Sequence, residues 1–273
     1  MPPNRRFLAG VAGTIFALAG VLVYLFLCAP SAEVLYEQAF ACFKRAEFQE
    51  AQSLLRKVLD GKEDYAEAHN LLGCCQLKLH EPKKAISSFQ AALRLDGDLA
   101  EAHRNLGVAY MHVGRAKEAI AAYQHALHLD PTDDLACFNL GVAYQRMGLL
   151  HHAKDAYAEL LAAKPQSPAA QYNLGVVYLK LKRWQEARKA FQKVIEMNPS
   201  DAQARYNLVM CHARLGEKAA AIEQYRILKS LDRDLAAKLI AAVSEELGLS
   251  DSPTEASTPP DSESSIGHSE KRR

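Results

Sequence analysis

Asn105-Leu106-Gly107-Val108-Ala109-Tyr110 returns thirty-four residues later as Asn139-Leu140-Gly141-Val142-Ala143-Tyr144. It returns again, one further period on, as Asn173-Leu174-Gly175-Val176-Val177-Tyr178. Fainter copies stand one period upstream, at Leu72-Gly73, and one downstream, at Asn207-Leu208. A fixed period of this size marks an array of one supersecondary unit, in which each unit buries its apolar face only by stacking on its neighbours.

Each period divides into two helical patterns. From Ala100, the residues His103, Leu106, Gly107 and Tyr110 recur at helical spacing and predict one inward face. Gly114 then interrupts as a helix-ending glycine. Ala119, Tyr123 and Ala126 trace a second helix, and Pro131 closes the unit. The small residues Gly107 and Ala119 let the two backbones approach closely, while Tyr110 and Tyr123 fill the space beside them.

These residues resemble the tetratricopeptide repeat. Leu106, Gly107, Tyr110, Gly114, Ala119, Tyr123, Ala126 and Pro131 carry the likeness in one unit. The next repeats it in Leu140, Gly141, Tyr144, Gly148, Ala153, Tyr157 and Pro165, and the following one in Leu174, Gly175, Tyr178, Trp184, Ala187, Phe191 and Pro199. Six units fit the period, at 32–65, 66–99, 100–133, 134–167, 168–201 and 202–235. The resemblance implies an all-α, right-handed superhelical solenoid of helix-turn-helix repeats, used for binding protein. It does not name the partner.

The outer units depart from the pattern, as terminal repeats do. In the first, Ala39 stands in the glycine position and Cys42 in that of tyrosine, although Phe48, Ala51 and Leu55 remain. In the sixth, Val209, His212 and Arg233 replace glycine, tyrosine and proline. A capping helix is expected over 236–248, turning Leu235, Leu239, Ile240 and Val243 inward and Lys238, Glu245 and Glu246 toward water.

Ahead of the repeats, residues 1–6 are short and basic, and 7–29 carry no charge. As a helix the apolar run would measure roughly 34 Å at about 1.5 Å per residue, enough for a hydrocarbon core of about 30 Å. It exceeds the 7–15 apolar residues of a cleaved leader, so a transmembrane signal anchor is expected. Arg5 and Arg6 would leave the N-terminus in the cytoplasm and the repeats across the membrane, outside a bacterial inner membrane. A cleaved signal peptide with a soluble periplasmic or secreted product, or a eukaryotic organelle anchor, is the alternative. Ala9, Gly13 and Ala17 are spaced as small residues that seat a partner helix, and oligomeric state stays open.

Composition narrows the chemistry. Lys and Arg number 33 against 32 Asp and Glu, for a formal charge of +1, so no global field draws in nucleic acid. The six cysteines form no C-x-x-C pair and are expected as packed thiols. No histidine pair repeats at metal spacing, and no nucleophile elbow or phosphate loop is present. No cofactor, metal or catalysis is expected.

The remaining signal is on the first helix of each unit. At 100° per residue Glu101, Asn105, Val108 and His112 fall away from the core face. In tetratricopeptide arrays the first helices line the concave surface, which would make Asn105, Asn139, Asn173 and Asn207 a ladder along it. An amide offers donors and an acceptor to the backbone of an extended peptide. The ladder resembles the asparagine row in the repeat region of O-linked N-acetylglucosamine transferases, though no glycosyltransferase domain follows. Beside it, Val108, Val142, Val176 and Met210 form an apolar strip flanked by Phe138, Tyr172 and Tyr206. Lys78, His112, Arg146, Lys180 and Arg214 form a basic edge. The lysine–asparagine clamp of chaperone co-factors is absent as a pattern: Arg104 stands with Val108, and Phe138 with Val142. The expected role is therefore a non-catalytic scaffold at a membrane, gripping an extended peptide of a protein partner. The alternative is a regulatory or receptor subunit of an enzyme complex, for glycosyl transfer or cytochrome maturation. Asparagines that merely tie neighbouring helices are the competing structural reading. Residues 249–273, rich in Ser, Thr, Pro and acid, predict a disordered tail.

Overall fold

A computed structural model describes residues 30–247. The expected anchor at 7–29, the last residue of the expected 236–248 helix and the tail at 249–273 lie outside the described residues. No helix among the described residues is long and apolar enough to cross a membrane.

Those residues form thirteen α-helices and no strands. They are α1 (Ala32–Lys44), α2 (Phe48–Gly61), α3 (Ala66–Lys78), α4 (Pro82–Leu95), α5 (Ala100–His112) and α6 (Ala116–Leu129), followed by α7 (Asp134–Arg146), α8 (Leu150–Ala163), α9 (Pro168–Lys180) and α10 (Trp184–Met197). The series ends with α11 (Ala202–Arg214), α12 (Lys218–Leu231) and α13 (Arg233–Leu247). Two compact units divide the chain at Asn198/Pro199. In the first, α1 to α10 make five helix hairpins, each second helix lying against the first helix of the next hairpin.

The hairpin turn explains why every unit breaks where it does. One residue per period takes the left-handed conformation: Ala46, His80, Gly114, Gly148, Lys182 and Gly216, with φ between +56° and +77°. Three of the six are glycine, for which this conformation carries no Cβ penalty. At the other end of the hairpin, Ser31, Asp133, Ser167 and Asp201 cap α1, α7, α9 and α11 by accepting a backbone N–H three residues on.

Inside a hairpin, the glycine of the first helix lies under an aromatic ring of the second. A Cβ added at Gly107 would come 2.5 Å from Tyr123, and the distances are 2.5 Å for Gly73 under Phe89, 2.6 Å for Gly141 under Tyr157 and 2.8 Å for Gly175 under Phe191. Those four rings are at most 1% exposed. Where the glycine is lost the ring goes too, for Ala39 shares its buried cluster with Leu55. Between hairpins, Gln90 Nε2 donates to the Tyr110 hydroxyl at 3.2 Å, and Gln124 Nε2 to the Tyr144 hydroxyl at 3.0 Å. The repeated tyrosine thus fills space and also ties one repeat to the previous one.

The second unit is the hairpin α11–α12 closed by α13. That helix begins at Arg233 rather than at 236, because the Asp232 carboxylate accepts the Leu235 N–H at 2.9 Å and caps it there. The expected boundary at 235/236 therefore falls within a helix. Ala236, Leu239 and Val243 are buried, with Leu235 packed against their cluster. Ile240 is half-buried and Lys238 exposed.

Candidate polypeptide-binding groove

First helices of successive repeats in the first unit touch one another, and between α5 and α7 they leave a pocket of about 320 Å³. Val108, Met111 and His112 of α5 form one wall; Asn139, Val142 and Arg146 of α7 form the other, over the Tyr123 ring of α6. Five of these seven, Val108, His112, Asn139, Val142 and Arg146, are groove residues picked out by the repeat spacing. Met111 and Tyr123 were not, although Tyr123 is the ring that Gly107 underlies. The Arg146 guanidinium bridges the two walls through a long hydrogen bond of 3.4 Å to the Met111 carbonyl.

The asparagines do not behave as four equal rungs. Asn105 is half-buried and donates to Asn70 Oδ1 at 3.1 Å and to Cys74 Sγ at 3.3 Å, both on α3. This amide ties two first helices together. Asn173 donates to the Ala169 carbonyl of its own helix at 2.9 Å. Asn139 lines the pocket, and its amide has no hydrogen-bond partner among the described residues. The residue one position before the asparagine register, one repeat upstream, explains the divergence. It is Asn70 for Asn105, Arg104 for Asn139 and Phe138 for Asn173. Arg104 is held by Asp133 at 2.8 Å and Glu101 at 3.4 Å, and Phe138 has no polar atom on its side chain. Asn207, Tyr206, Met210 and Arg214 belong to α11 in the second unit; the first three are half-buried and Arg214 is exposed.

The aromatics expected beside the strip are engaged within their repeats. Phe138 lies 5.9 Å, centroid to centroid, from Tyr157, and Tyr172 meets Phe191 edge-on at 5.5 Å. Both stay half-buried. Val108, Val142 and Val176 are half-buried, while Lys78, His112, Arg146 and Lys180 are exposed. Glu37 of α1, Glu67 of α3 and Glu101 of α5 are exposed. Burial, and then neighbours that include Tyr65, Glu67 and Glu101, push the Tyr36 hydroxyl up to about 12.

The thiols are poorly suited to nucleophilic chemistry. Burial pushes Cys74 and Cys75 up to about 12 and Cys137 to about 11, so almost no thiolate forms near neutrality. His103 Nε2 lies 3.0 Å from the Gly97 carbonyl and its ring stacks on His125 at 5.3 Å. It is half-buried against these partners rather than fully inside. Among the described residues, Cys42, Glu47 and Glu50 come close enough to share an ion. Arg45 already supplies the cation there, 3.3 Å from the Cys42 sulfur and 2.8 Å from a Glu47 oxygen.

No curated protein matches the sequence. Among solved structures, PilF of Pseudomonas aeruginosa is similar at 20% identity and a TM-score of 0.66, over 77% of this chain and 97% of that one. MamA is similar at 28% identity and a TM-score of 0.57, over 60% of this chain and 96% of its own. YrrB, described as a protein of these repeats with an unusual peptide-binding site, is similar at 20% identity and 0.61, over 67% and 96%. The family model "Tetratricopeptide repeat" matches residues 36–99, 76–134, 138–197 and 178–236. With its paired helices, seated rings and stacked first helices, the chain belongs to the tetratricopeptide repeat family.

Proposed function

We propose that the protein is an interaction scaffold whose first-helix face receives an extended segment of another polypeptide, with the α5–α7 pocket as its principal contact. The observation that carries this is the joining of Val108, His112, Asn139, Val142 and Arg146 in one pocket from two successive repeats. The valines desolvate an apolar side chain of the ligand. The Asn139 amide supplies donors and an acceptor to its backbone, and Arg146 offers charge at the rim. Asn105 and Asn173 support this surface through bonds within the protein, so the grip on backbone centres on Asn139.

A photocrosslinking residue placed at 142 of the full chain in cells recovers the bound segment, which is then synthesised. That peptide is expected to bind the wild type at least tenfold tighter than Val142→Asp, and equally well after Lys117→Ala on the exposed side of α6. Equal binding to the Val142→Asp variant would place the contact elsewhere. On sequence alone we also propose that residues 7–29 tether the scaffold to a membrane. Retention of the chain in the membrane pellet after alkaline carbonate is the expected result; release removes that part of the reading.

A further inference from the structure

Five first helices end on a basic residue at one register: Lys44, Lys78, His112, Arg146 and Lys180. All five are exposed. No ion pair among the described residues includes any of them. Their neighbours behave differently, for Arg45, Arg115 and Arg183 in the hairpin turns each pair with a carboxylate two or three residues on. A cation in the last turn of a helix is favoured by the helix dipole, but that argument applies equally to the second helices. There the last turn holds a basic residue in α4, α6 and α12, through Arg94, His128 and Lys229, and none in α2, α8 and α10. Every first helix of the first unit carries such a residue, always as its last residue, whereas only half of the second helices have one in the last turn.

The spacing of the row selects a conformation for what lies along it. Successive first helices are in contact, and packed helices lie about 8–10 Å apart. A polyproline II segment turns once every three residues at about 3.1 Å each, so every third side chain points the same way at intervals of about 9.3 Å. A β-strand repeats a face at about 6.7 Å, and an α-helix advances about 5.4 Å per turn.

We propose that this row is a carboxylate register, and that the groove takes an acidic polyproline II segment of a partner protein with Asp or Glu at every third residue. The inference rests on the groove reading above and names the partner's chemistry. The protein's own tail, with carboxylates at Asp251, Glu255, Asp261, Glu263 and Glu270, has no two of them three residues apart.

The test uses the full-length chain in nonionic detergent and a fluorescent peptide of six Glu-Pro-Ala triplets. Its comparison is an isomer of the same composition with the glutamates in blocks. By anisotropy the triplet peptide is expected to bind at least tenfold tighter than the isomer, and to weaken as salt rises. Arg146→Glu combined with Lys180→Glu is expected to weaken it at least tenfold with helicity unchanged, while Lys117→Glu on α6 leaves it intact. Equal affinity for the two peptides, no binding of either, or indifference to the double reversal overturns the register. Val142→Asp separates the two levels of the argument. A triplet peptide that ignores charge reversal but is lost in Val142→Asp removes this inference and keeps the groove, whereas indifference to both removes both.

Discussion

Gly107→Ala tests whether the hairpins are set by ring-on-glycine packing. In an unconstrained helix this change gains about 1 kcal/mol of propensity. Here the new methyl would lie 2.5 Å from Tyr123 Cε1, 2.7 Å from Cδ1 and 2.9 Å from Cζ, against about 3.5–4.0 Å at contact. The ring is 1% exposed and has nowhere to swing, so overpacking of about 1–3 kcal/mol, and toward its upper end, opposes the gain. A net loss of about 1–2 kcal/mol is expected. Tyr123→Leu alone removes buried ring volume at a cost of about 2 kcal/mol. The first repeat already contains the double solution, Ala39 beside Leu55. Gly107→Ala with Tyr123→Leu regains the helix propensity without the clash and should therefore cost about 1 kcal/mol, less than the sum of the singles, a favourable coupling of about 2–3 kcal/mol. Urea unfolding followed by circular dichroism measures all four corners of the cycle. Strict additivity, or a Gly107→Ala variant as stable as the parent, would refute the close-approach argument.

The turns give a second prediction: His80→Gly and Lys182→Gly relieve left-handed backbone and should each stabilise by about 1 kcal/mol. Gly114→Ala, at φ +77°, should cost about the same in the same urea titration. Asn105→Ala strands the buried Asn70 oxygen and should lower stability by about 1–2 kcal/mol. Asn139→Ala, which breaks no bond among the described residues, should stay within about 0.5 kcal/mol yet weaken ligand capture. Finally, Cys74 and Cys75, pushed from 9.0 to about 12, carry roughly a thousandfold less thiolate than ordinary thiols at pH 8. Iodoacetamide labelling of these two sites, read by peptide mass spectrometry, should therefore be slow in the native protein and rise with unfolding; rapid native labelling would contradict their burial.

The repeat period, the helix pairs and the turn positions were legible in the sequence because each depends on residues close along the chain. Gly114, Pro131 and the recurring Leu106-Gly107 step act within one hairpin, and the stacking of identical hairpins then follows. The shared register of Lys78, His112, Arg146 and Lys180 was legible for the same reason, since residues thirty-four apart occupy equivalent places on successive first helices. The asparagine ladder was not. Whether an amide faces a ligand, a neighbouring helix or its own backbone depends on the residue that the adjacent repeat brings beside it: Asn70 at one step, Arg104 at the next, Phe138 at the third. The engagement of Phe138 and Tyr172 with buried rings of their own repeats was equally a matter of packing. Local spacing fixes which face a side chain leaves from, but only tertiary contacts supply or withhold its partner, because hydrogen bonds act over about 3 Å and not over sequence.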